Sequence, residues 1–496
     1  MVPSSGSLGD VYTRGFERAY LQPRPSLMPH ATARRLDWVD LALIGLFLIG
    51  LYTNFTIMIS VKVPLPSAPS GIAGLILLWR RRDLITQRAL VGLMAVLTLY
   101  LISILFATDI TWLSRRTNGL IQLTYSLVIG YALFLTVSQA DRRQVAGLFL
   151  GFALVILVGC LLESYAGLRP VSDAVRRVLY SKGVYENDLR DVLFYNRVRP
   201  KFFASEPASV TFCFTLFSFI WLVASPWRGK LVGYLALVGV GLFAMPGPTV
   251  LLMLLLLLPY LLFLNSRRGG RIDATRFLIV ACAGAIALVM FLVLAQTLFA
   301  ERLASITAGN DPSSFYRVQG PAMAGLDIMK RYPIAGAGLT GEPFIEREVT
   351  NLYLRSRYYS AGWAVVSPST ELLINYFWLH WIYLGLVWGI LMIGAITAWF
   401  RVLGVPSAAF CWMAWAILGQ ASGAYVGPTC WAVLFLFAAG TVLHERPAEA
   451  AAVGRPRPTL YPTFGPATDL AERSAAVLRR RNADPRATIV SHPDTA

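Results

Sequence analysis

The sequence predicts an all-α integral membrane protein with about twelve transmembrane helices and two large helical loops on the outer side. Of its 496 residues, 56% are hydrophobic and only 14% are charged, whereas soluble domains are roughly 25% charged. A soluble protein of this composition would expose large apolar patches and aggregate. The net charge of +17 does not indicate nucleic acid as a partner, because the basic residues cluster in short gaps between apolar runs, as membrane topology requires.

Twelve apolar runs approach the roughly 20 residues that a membrane-spanning helix needs. Together they define a transmembrane domain over 38–443. The second run is short and follows two prolines, which predicts a tilted or re-entrant helix, and the seventh and eighth meet in a tight turn at Met245–Pro248. The runs cover 38–60, 66–79, 89–107, 118–138, 145–162, 207–225, 230–245, 248–265, 275–298, 377–400, 405–423 and 426–443.

The charges of the short loops predict the orientation. Thirteen Lys and Arg residues lie in the gaps assigned to the inner side, against three in the short gaps assigned to the outer side, which is the positive-inside pattern. Both termini are therefore expected in the cytoplasm. The N-terminal tail (1–37) has no signal-peptide pattern, and the C-terminal tail (444–496), rich in Pro, Ala and Arg, is predicted to be mostly disordered apart from a candidate helix at 468–481.

Two long loops are predicted on the outer side. The first loop (163–206) has 44 residues and the second loop (299–376) has 78. Apolar residues recur in both at helical spacing, which predicts packed helices rather than floppy linkers. The five cysteines lie inside apolar runs and no Cys/His group has metal-ligand spacing, so neither a disulfide framework, a metal site nor a cofactor is expected.

The first loop ends in a cluster of cations, aromatic rings and one carboxylate. Arg197, Arg199 and Lys201 precede Phe202-Phe203, and Glu206-Pro207 leads into the next span. Arginine matches phosphate and carboxylate groups, aromatic faces suit sugars or the headgroup level, and the first turn of a helix favours an anion. Each part also has a structural interpretation: interfacial anchors for the phenylalanines, an ordinary helix start, and binding of lipid headgroups by the cations.

The second loop contains a further set of candidates. Arg302 is followed by a helix predicted over 313–331 and by a Pro- and Gly-rich segment, Tyr332–Gly338, that ends it. The loop carries seven basic and seven acidic residues, so local pairing matters more than a bulk field. For Arg317 the structural alternative is an ion pair with Asp311 or Glu301.

His380 is the only histidine within or near the predicted outer face. It lies between Trp378 and Trp381, about one turn inside a span. An ionisable residue at that depth is a functional candidate. The flanking tryptophans equally fit a neutral residue of the interfacial aromatic belt.

In these residues the chain resembles the O-antigen polymerase and ligase superfamily of bacterial envelopes, which includes the Wzy-type polysaccharide polymerases. The resemblance covers about residues 160–400. It consists of the twelve-span plan with its largest outer loop between late spans and of two motifs. These are Arg-x-x-x-Phe-x-Ser-Glu-Pro at 199–207, and an Arg, a helix, then Pro and spaced glycines at Arg317, Pro333, Gly336 and Gly338.

The resemblance implies a GT-C-like, metal-independent glycosyltransferase at the outer face of the bacterial inner membrane. Such a polymerase moves a growing chain from its undecaprenyl diphosphate to the next lipid-linked repeat unit. Arg199 and Arg317 would hold the diphosphate and stabilise charge on the leaving group. Glu206 is the first candidate for a base, and the alternative is that it only orders the arginines. The expected diphosphate- or glycan-binding residues are Arg197, Lys201, Arg302, Arg331, Tyr332 and His380.

The partners implied by the resemblance are the lipid-linked glycan, membrane lipids, and flippase and chain-length regulator proteins. The chain also departs from the superfamily. Ligases carry a His-Asn pair just before the span that follows the large loop, but Ile374-Asn375 stands here, which favours a polymerase, and His380 lies one to two turns later. A Ser-Arg-type element where spans seven and eight meet is replaced by Pro246–Thr249.

Three other functions remain open: a ligase that moves finished glycan to another acceptor, a transporter or flippase of lipid-linked glycan, and a non-catalytic scaffold. A flippase should place charges along a mid-membrane cavity, whereas this chain keeps nearly all its charge in loops. A scaffold would use the same loops as docking surfaces, and retention of product after substitution of Arg199 or Arg317 would favour it.

Overall fold

The computed structural model describes residues 35–446 except 61–62, 108, 181–184, 187, 266, 269–270, 273, 309–310 and 357–367. Most of the predicted N-terminal tail, and the C-terminal tail from 447 with its candidate helix, lie outside the described residues. Within them the chain is mostly helical and has very little strand, which confirms the all-α class. The strands form two short antiparallel hairpins, β1 (Ile57–Ser60) with β2 (Val63–Leu65) and β3 (Arg267–Arg268) with β4 (Arg271–Ile272).

Each of the twelve predicted runs coincides with a helix. They are α1 (Trp38–Thr53), α2 (Ala68–Arg80), α3 (Gln87–Leu105), α4 (Leu113–Gln139), α5 (Arg142–Tyr165), α8 (Pro207–Ala224), α9 (Lys230–Ala244), α10 (Pro248–Pro259, continued by a π-helix over Tyr260–Asn265), α11 (Ala274–Leu298), α17 (Tyr376–Val402), α18 (Ala408–Gly419) and α19 (Pro428–Glu445). Among the described residues, eight are long and apolar enough to cross a membrane, and α1, α9 and α18 are shorter apolar helices. The chain is therefore an all-α membrane protein.

The two loops are helical, as predicted. The first loop contains α6 (Arg169–Leu179) and α7 (Asp188–Tyr195). The second loop contains α12 (Ala300–Thr307), α13 (Pro312–Ser314), a π-helix (Phe315–Gln319), α14 (Gly320–Arg331), a 3-10 helix (Glu342–Ile345), α15 (Glu346–Leu354) and α16 (Ser369–Leu372). The helix predicted over 313–331 is thus present, but its second turn is π-helical and carries Arg317.

The first predicted run, 38–60, is wrong after residue 53. α1 ends at Thr53 because Asn54 takes a left-handed backbone conformation (φ 47°) and donates its N–H to Gly50 O. Asparagine is one of the few residues that adopt this conformation routinely. The β-branched residues that follow form the β1–β2 hairpin, so apolar composition alone did not distinguish a helix from a hairpin there.

The helix α8 lies at the centre of the bundle. It packs against α5, α10 and α19, and all of its residues except Ser209 are buried. It begins at Pro207, where proline is well tolerated because the first N–H of a helix has no intrahelical partner. The residue before it is Glu206, so a central and closely packed element positions one of the predicted catalytic groups.

The helix α17 is broken at Gly385, whose backbone (φ 66°, ψ −170°) is not helical. The segment Tyr332–Gly338 of the second loop lies in the break and bonds to both halves of the helix. These bonds satisfy the backbone groups that a helix end leaves unpaired. They run from Leu386 N and Val387 N to Pro333 O (2.9 and 3.0 Å), from Trp388 N to Ile334 O (3.2 Å), and from Ala337 N to Ile382 O (2.8 Å).

Two glycines permit this close approach of backbones. A Cβ at Gly385 would lie 2.7 Å from Gly336 N and from Tyr332 O, and a Cβ at Gly336 would lie 2.3 Å from Ile382 O. Both glycines also have positive φ angles, 66° and 57°. Gly336 of the spaced-glycine motif therefore allows the second loop to dock into α17.

We predict that Gly385→Ala destabilises the protein, whereas Gly394→Ala in the same helix does not. A side chain at Gly385 would clash with backbone atoms of the second loop. It would also have to adopt a backbone conformation that is almost restricted to glycine, which alone costs about 1–3 kcal/mol. A Cβ at Gly394 has nothing within 4 Å. Thermal unfolding of both purified variants in one detergent measures the difference, and equal midpoints would contradict the role of the break.

Candidate functional site

Arg317 and Glu206 bring the two loops together. Arg317 Nη2 lies 3.5 Å from Glu206 Oε2, with the side chains 20% and 40% exposed. Glu206 is the N-cap residue of α8, but its carboxylate makes no capping hydrogen bond, so it remains available to groups outside the helix. The positive end of the helix dipole favours its charge. Arg317 thus pairs with Glu206, and the alternative pairing with Asp311 or Glu301 is wrong.

The guanidinium of Arg317 is only partly used. Its buried Nε has no hydrogen-bond partner among the described residues, and the contact to Glu206 is at the long limit of a hydrogen bond. Buried donors are normally satisfied. Burial lowers the pKa of Arg317, and the charge of Glu206 opposes that effect. Three neighbouring cations lower the pKa further: Arg302, Arg199 and Arg190.

The backbone around Arg317 is held by the start of α17. Asn375 Nδ2 donates to Arg317 O (2.7 Å) and to Gln420 Oε1 (2.9 Å), while its Oδ1 accepts from Trp378 N and caps the helix. Ile374 N donates to the carbonyl of the residue before Arg317 (3.0 Å). Asn375 is fully buried, so the segment Ile374-Asn375 acts as a fixed clamp on the π-helical turn.

Asp311 joins two of the other cations. Its carboxylate accepts from Arg302 Nε (2.8 Å) and Arg190 Nη2 (2.5 Å), and from the N–H groups of Ser313 and Ser314 at the start of α13. Burial raises the pKa of Asp311, but Arg302 and Arg190 lower it by more, so the pKa lies below its ordinary value. The carboxylate is therefore ionised and orders arginines from both loops.

Arg199 lies on the other side of the same cluster. Its Nε donates to Asp191 Oδ1 (2.7 Å), and its guanidinium lies over the rings of Tyr185 (5.5 Å) and Tyr195 (5.0 Å). Tyr195 also accepts from Arg302 Nη1 and packs against that guanidinium (5.7 Å). Tyr195 therefore separates two arginines that would otherwise repel each other.

The loop that leads to Glu206 is held in a strained conformation. Phe202 and Phe203 have φ angles of 33° and 66°, which bulky residues rarely adopt. The Glu163 carboxylate accepts the N–H groups of Lys201 (2.9 Å) and Phe202. Arg176 donates to Ala204 O (2.7 Å) and Ser205 O (2.9 Å). Strain of this kind persists only where the surroundings fix the backbone.

The remaining predicted residues lie elsewhere. Lys201 is buried and pairs with Asp188 (3.0 Å) beside the cluster. Arg197 lies against Tyr165 and Phe243. Arg331 pairs with Asp327 on its own helix and is 54% exposed. The Tyr332 hydroxyl donates to Glu348 (3.5 Å).

His380 has a structural arrangement. It is buried, and its ring nitrogens contact Tyr425 Oη (Nδ1, 2.9 Å) and Gly389 O (Nε2, 3.1 Å). Because a carbonyl only accepts, Nε2 carries the proton and Nδ1 accepts from the tyrosine. The side chain bridges the break in α17, since residues 380 and 389 lie on opposite sides of Gly385. Both nitrogens thus have protein partners, which favours the neutral, structural interpretation of this residue.

Sequence reasoning missed the acidic and aromatic partners of the arginines. Asp188, Asp191 and Tyr195 are spaced at i, i+3 and i+7 in α7, and this spacing puts them on one helix face. That face contacts Lys201, Arg199 and Arg302. The periodicity was visible in the sequence, but the partners lie in other elements. The roles of Arg176 and Glu163 had no such signal, because both bind backbone.

The site is an electrostatic one. Arg317 pairs with one partly exposed carboxylate, and Arg190, Arg199 and Arg302 lie near Arg317. In the part of the chain that the structure describes, no group of three or more His, Cys, Asp or Glu side chains could hold a metal ion. Arginine remains protonated at any physiological pH. Such a cluster can bind a phosphate or diphosphate in a bidentate manner, with Glu206 beside it as a proton acceptor. No protein-family model and no curated protein matches the sequence.

We predict that Asp311→Ala destabilises the protein far more than Asp327→Ala. Removing Asp311 leaves two arginines without their buried partner, and such losses cost about 3–5 kcal/mol. The pair of Asp327 and Arg331 lies at the surface, and surface pairs contribute little to stability. Thermal unfolding in detergent compares the two variants. Similar small shifts would mean that Asp311 does not hold the cluster together.

Proposed function

We propose that this protein polymerises lipid-linked glycan, transferring a growing chain from undecaprenyl diphosphate to the next lipid-linked repeat unit. The observation that carries the proposal is that Arg199 of the first loop and Arg302 of the second lie near Arg317, which pairs with Glu206. The four residues come from two loops that are well separated in sequence, and three of them belong to the motifs on which the resemblance to O-antigen polymerases rests. A protein that only binds a diphosphate would need the arginines but not the carboxylate, so the presence of Glu206 favours an enzyme.

The reaction can be written with these groups alone. The acceptor hydroxyl oxygen forms a bond to C1 of the donor sugar while the bond from C1 to the diphosphate oxygen breaks. Glu206 accepts the hydroxyl proton. The departing lipid diphosphate gains negative charge, which Arg317 and Arg199 stabilise because they are already in place before the reaction. Arg317 Nε has no hydrogen-bond partner in the described part of the chain, and an oxygen of the lipid diphosphate would accept its N–H.

We also propose an arrangement in the membrane. All twelve helices α1–α5, α8–α11 and α17–α19 cross the bacterial inner membrane in a GT-C-like fold, both termini are cytoplasmic, and the two loops face outward. The positive-inside count supports this orientation. The shorter helices α1, α2, α9 and α18 are then crossings packed among longer ones, where protein rather than lipid covers part of their ends.

We predict that Arg317→Ala abolishes long polymer while the protein level stays unchanged. The protein level should not fall, because Glu206, the partner left behind, is 40% exposed and its charge remains hydrated. Arg317→Lys should fail as well, because lysine cannot make bidentate contacts with phosphate. The measurement is the chain-length profile of envelope and secreted polysaccharide in a deletion strain that carries each variant. The control is Arg82→Ala, because Arg82 is 62% exposed and far from the loops in sequence.

The outcomes separate the candidate functions. Single lipid-linked repeat units in the deletion strain, with long chains restored only by the wild type, support a polymerase. Long chains that accumulate on the lipid carrier without reaching an acceptor would identify a ligase instead. Full activity of Arg317→Ala would reject the site and favour a scaffold, and full activity of Arg317→Lys would mean that charge alone suffices.

We predict that Arg199→Ala loses both protein and polymer, and that adding Asp191→Asn restores the protein but not the polymer. Asp191 is only 1% exposed, and an unpaired buried carboxylate is strongly destabilising. The neutral amide removes that charge without replacing the cation. Immunoblot of membranes and the same chain-length profile distinguish the two effects. Long polymer in the double variant would show that Arg199 is not part of the site.

A further inference from the structure

An apolar groove of about 370 Å³ runs along the outer part of α5. It is lined by Leu154, Val155, Val158, Gly159, Leu162 and Phe202. The four branched side chains are between 41% and 59% exposed, and α5 has the length and composition of a complete membrane span. The groove therefore opens toward lipid, and its size is within the range of about 300–1,000 Å³ that is usual for small-molecule sites.

Gly159 and Phe202 form the inner wall of the groove together. A Cβ at Gly159 would lie 2.2 Å from the Phe202 ring, so the ring occupies the space that any other residue would fill. Phe202 takes this place with a φ angle of 33°. It is held there by Glu163, which accepts its N–H, and by Tyr52, whose hydroxyl donates to its carbonyl (2.6 Å).

The loop with Phe202 connects the groove to the arginine cluster. Phe202 lies three residues after Arg199 and four residues before Glu206. The same Glu163 carboxylate also accepts the N–H of Lys201, which pairs with Asp188 on the α7 face of the cluster. One short segment thus provides the wall of the groove and two of the three candidate catalytic residues, Arg199 and Glu206.

The upper end of the groove has a positive charge at the level expected for headgroups. Tyr165 lies one turn beyond Leu162 on the same helix face and stacks on Phe243 (5.6 Å, 9° between planes). Arg197 lies over both rings and donates to Tyr165 Oη and Phe243 O. No carboxylate pairs with Arg197 among the described residues.

We propose that this groove binds the polyprenyl chain of a lipid diphosphate, with Arg197 beside its headgroup. The inference rests on the proposed function and assigns the lipid part of its substrate to α5. An apolar channel below an unpaired cation complements an amphiphile with an anionic head. A polyprenyl diphosphate fits better than a phospholipid, because the wall of the groove belongs to the segment that carries Arg199 and Glu206.

Photo-crosslinking tests the groove directly. The full-length protein is reconstituted in vesicles of phosphatidylethanolamine and phosphatidylglycerol with a polyprenyl diphosphate that bears a diazirine on its chain. We expect the probe to label the α5 peptide that contains 154–162, and unlabelled undecaprenyl diphosphate, but not added phosphatidylglycerol, to compete. Labelling of α5 to the same extent by a diazirine-bearing phosphatidylglycerol would overturn the proposal, because the groove would then be an ordinary lipid surface.

A matched pair of variants tests the position. Val155→Trp fills the groove, whereas Val91→Trp places the same ring on α3 at a valine of equal exposure (60% against 59%). Both side chains face outward, so neither change disturbs the core. We expect Val155→Trp to lower α5 labelling several-fold and Val91→Trp to leave it unchanged. Equal labelling of the two variants would overturn the assignment, and Arg197→Gln should weaken competition by undecaprenyl diphosphate without moving the labelled peptide.

The test separates failure of the groove from failure of the proposed function. If Val155→Trp labels normally while the deletion strain still lacks long polymer, the groove is wrong and the polymerase stands. If α5 is labelled specifically but deletion leaves the chain-length profile unchanged, the lipid diphosphate site stands and the polymerase is wrong.

Discussion

The closure of the break in α17 is the contact on which the rest of the structure depends. A span that stops being helical exposes N–H and C=O groups, and in a membrane such groups must bond to protein. Here the backbone of Tyr332–Gly338 supplies the partners, and Gly385 and Gly336 allow the two chains to approach. His380 adds a side-chain bridge across the same break. The second loop is therefore packed into the helical bundle rather than laid over it.

This docking determines where Arg317 lies. The second loop is fixed to α17 at two places, in the break at Gly385 and at the helix start, where Asn375 binds Arg317 O. Between them runs α14, which packs against α17 and leads from the π-helical turn to the break. Glu206 is fixed independently, at the start of the buried helix α8. The pair is thus formed by two elements, each of which is held in place by its own contacts.

Much of the fold followed from composition and periodicity, whereas the site did so only in part. The apolar runs located the helices, because burial in lipid demands long apolar stretches. They failed at Asn54, where one residue ends a helix, and at Gly385, where the break is stabilised by a segment about fifty residues earlier. The motifs identified Arg199, Glu206 and Arg317, but not Asp191 or Asp311. Those carboxylates are defined by cations from distant elements, and sequence spacing contains no information on such pairs.

The distribution of charge explains why Arg317 and Glu206 differ from the other pairs. Asp311 and Asp191 are completely buried and each is bonded to an arginine at a short distance, so these pairs behave as fixed supports. Glu206 is partly hydrated, and its contact with Arg317 is long. The neighbouring cations act against the charge on Arg317, and an arriving anion would relieve that repulsion. An anion with two phosphates could replace Glu206 as the partner of Arg317 and leave the carboxylate free, which is the state that a base requires.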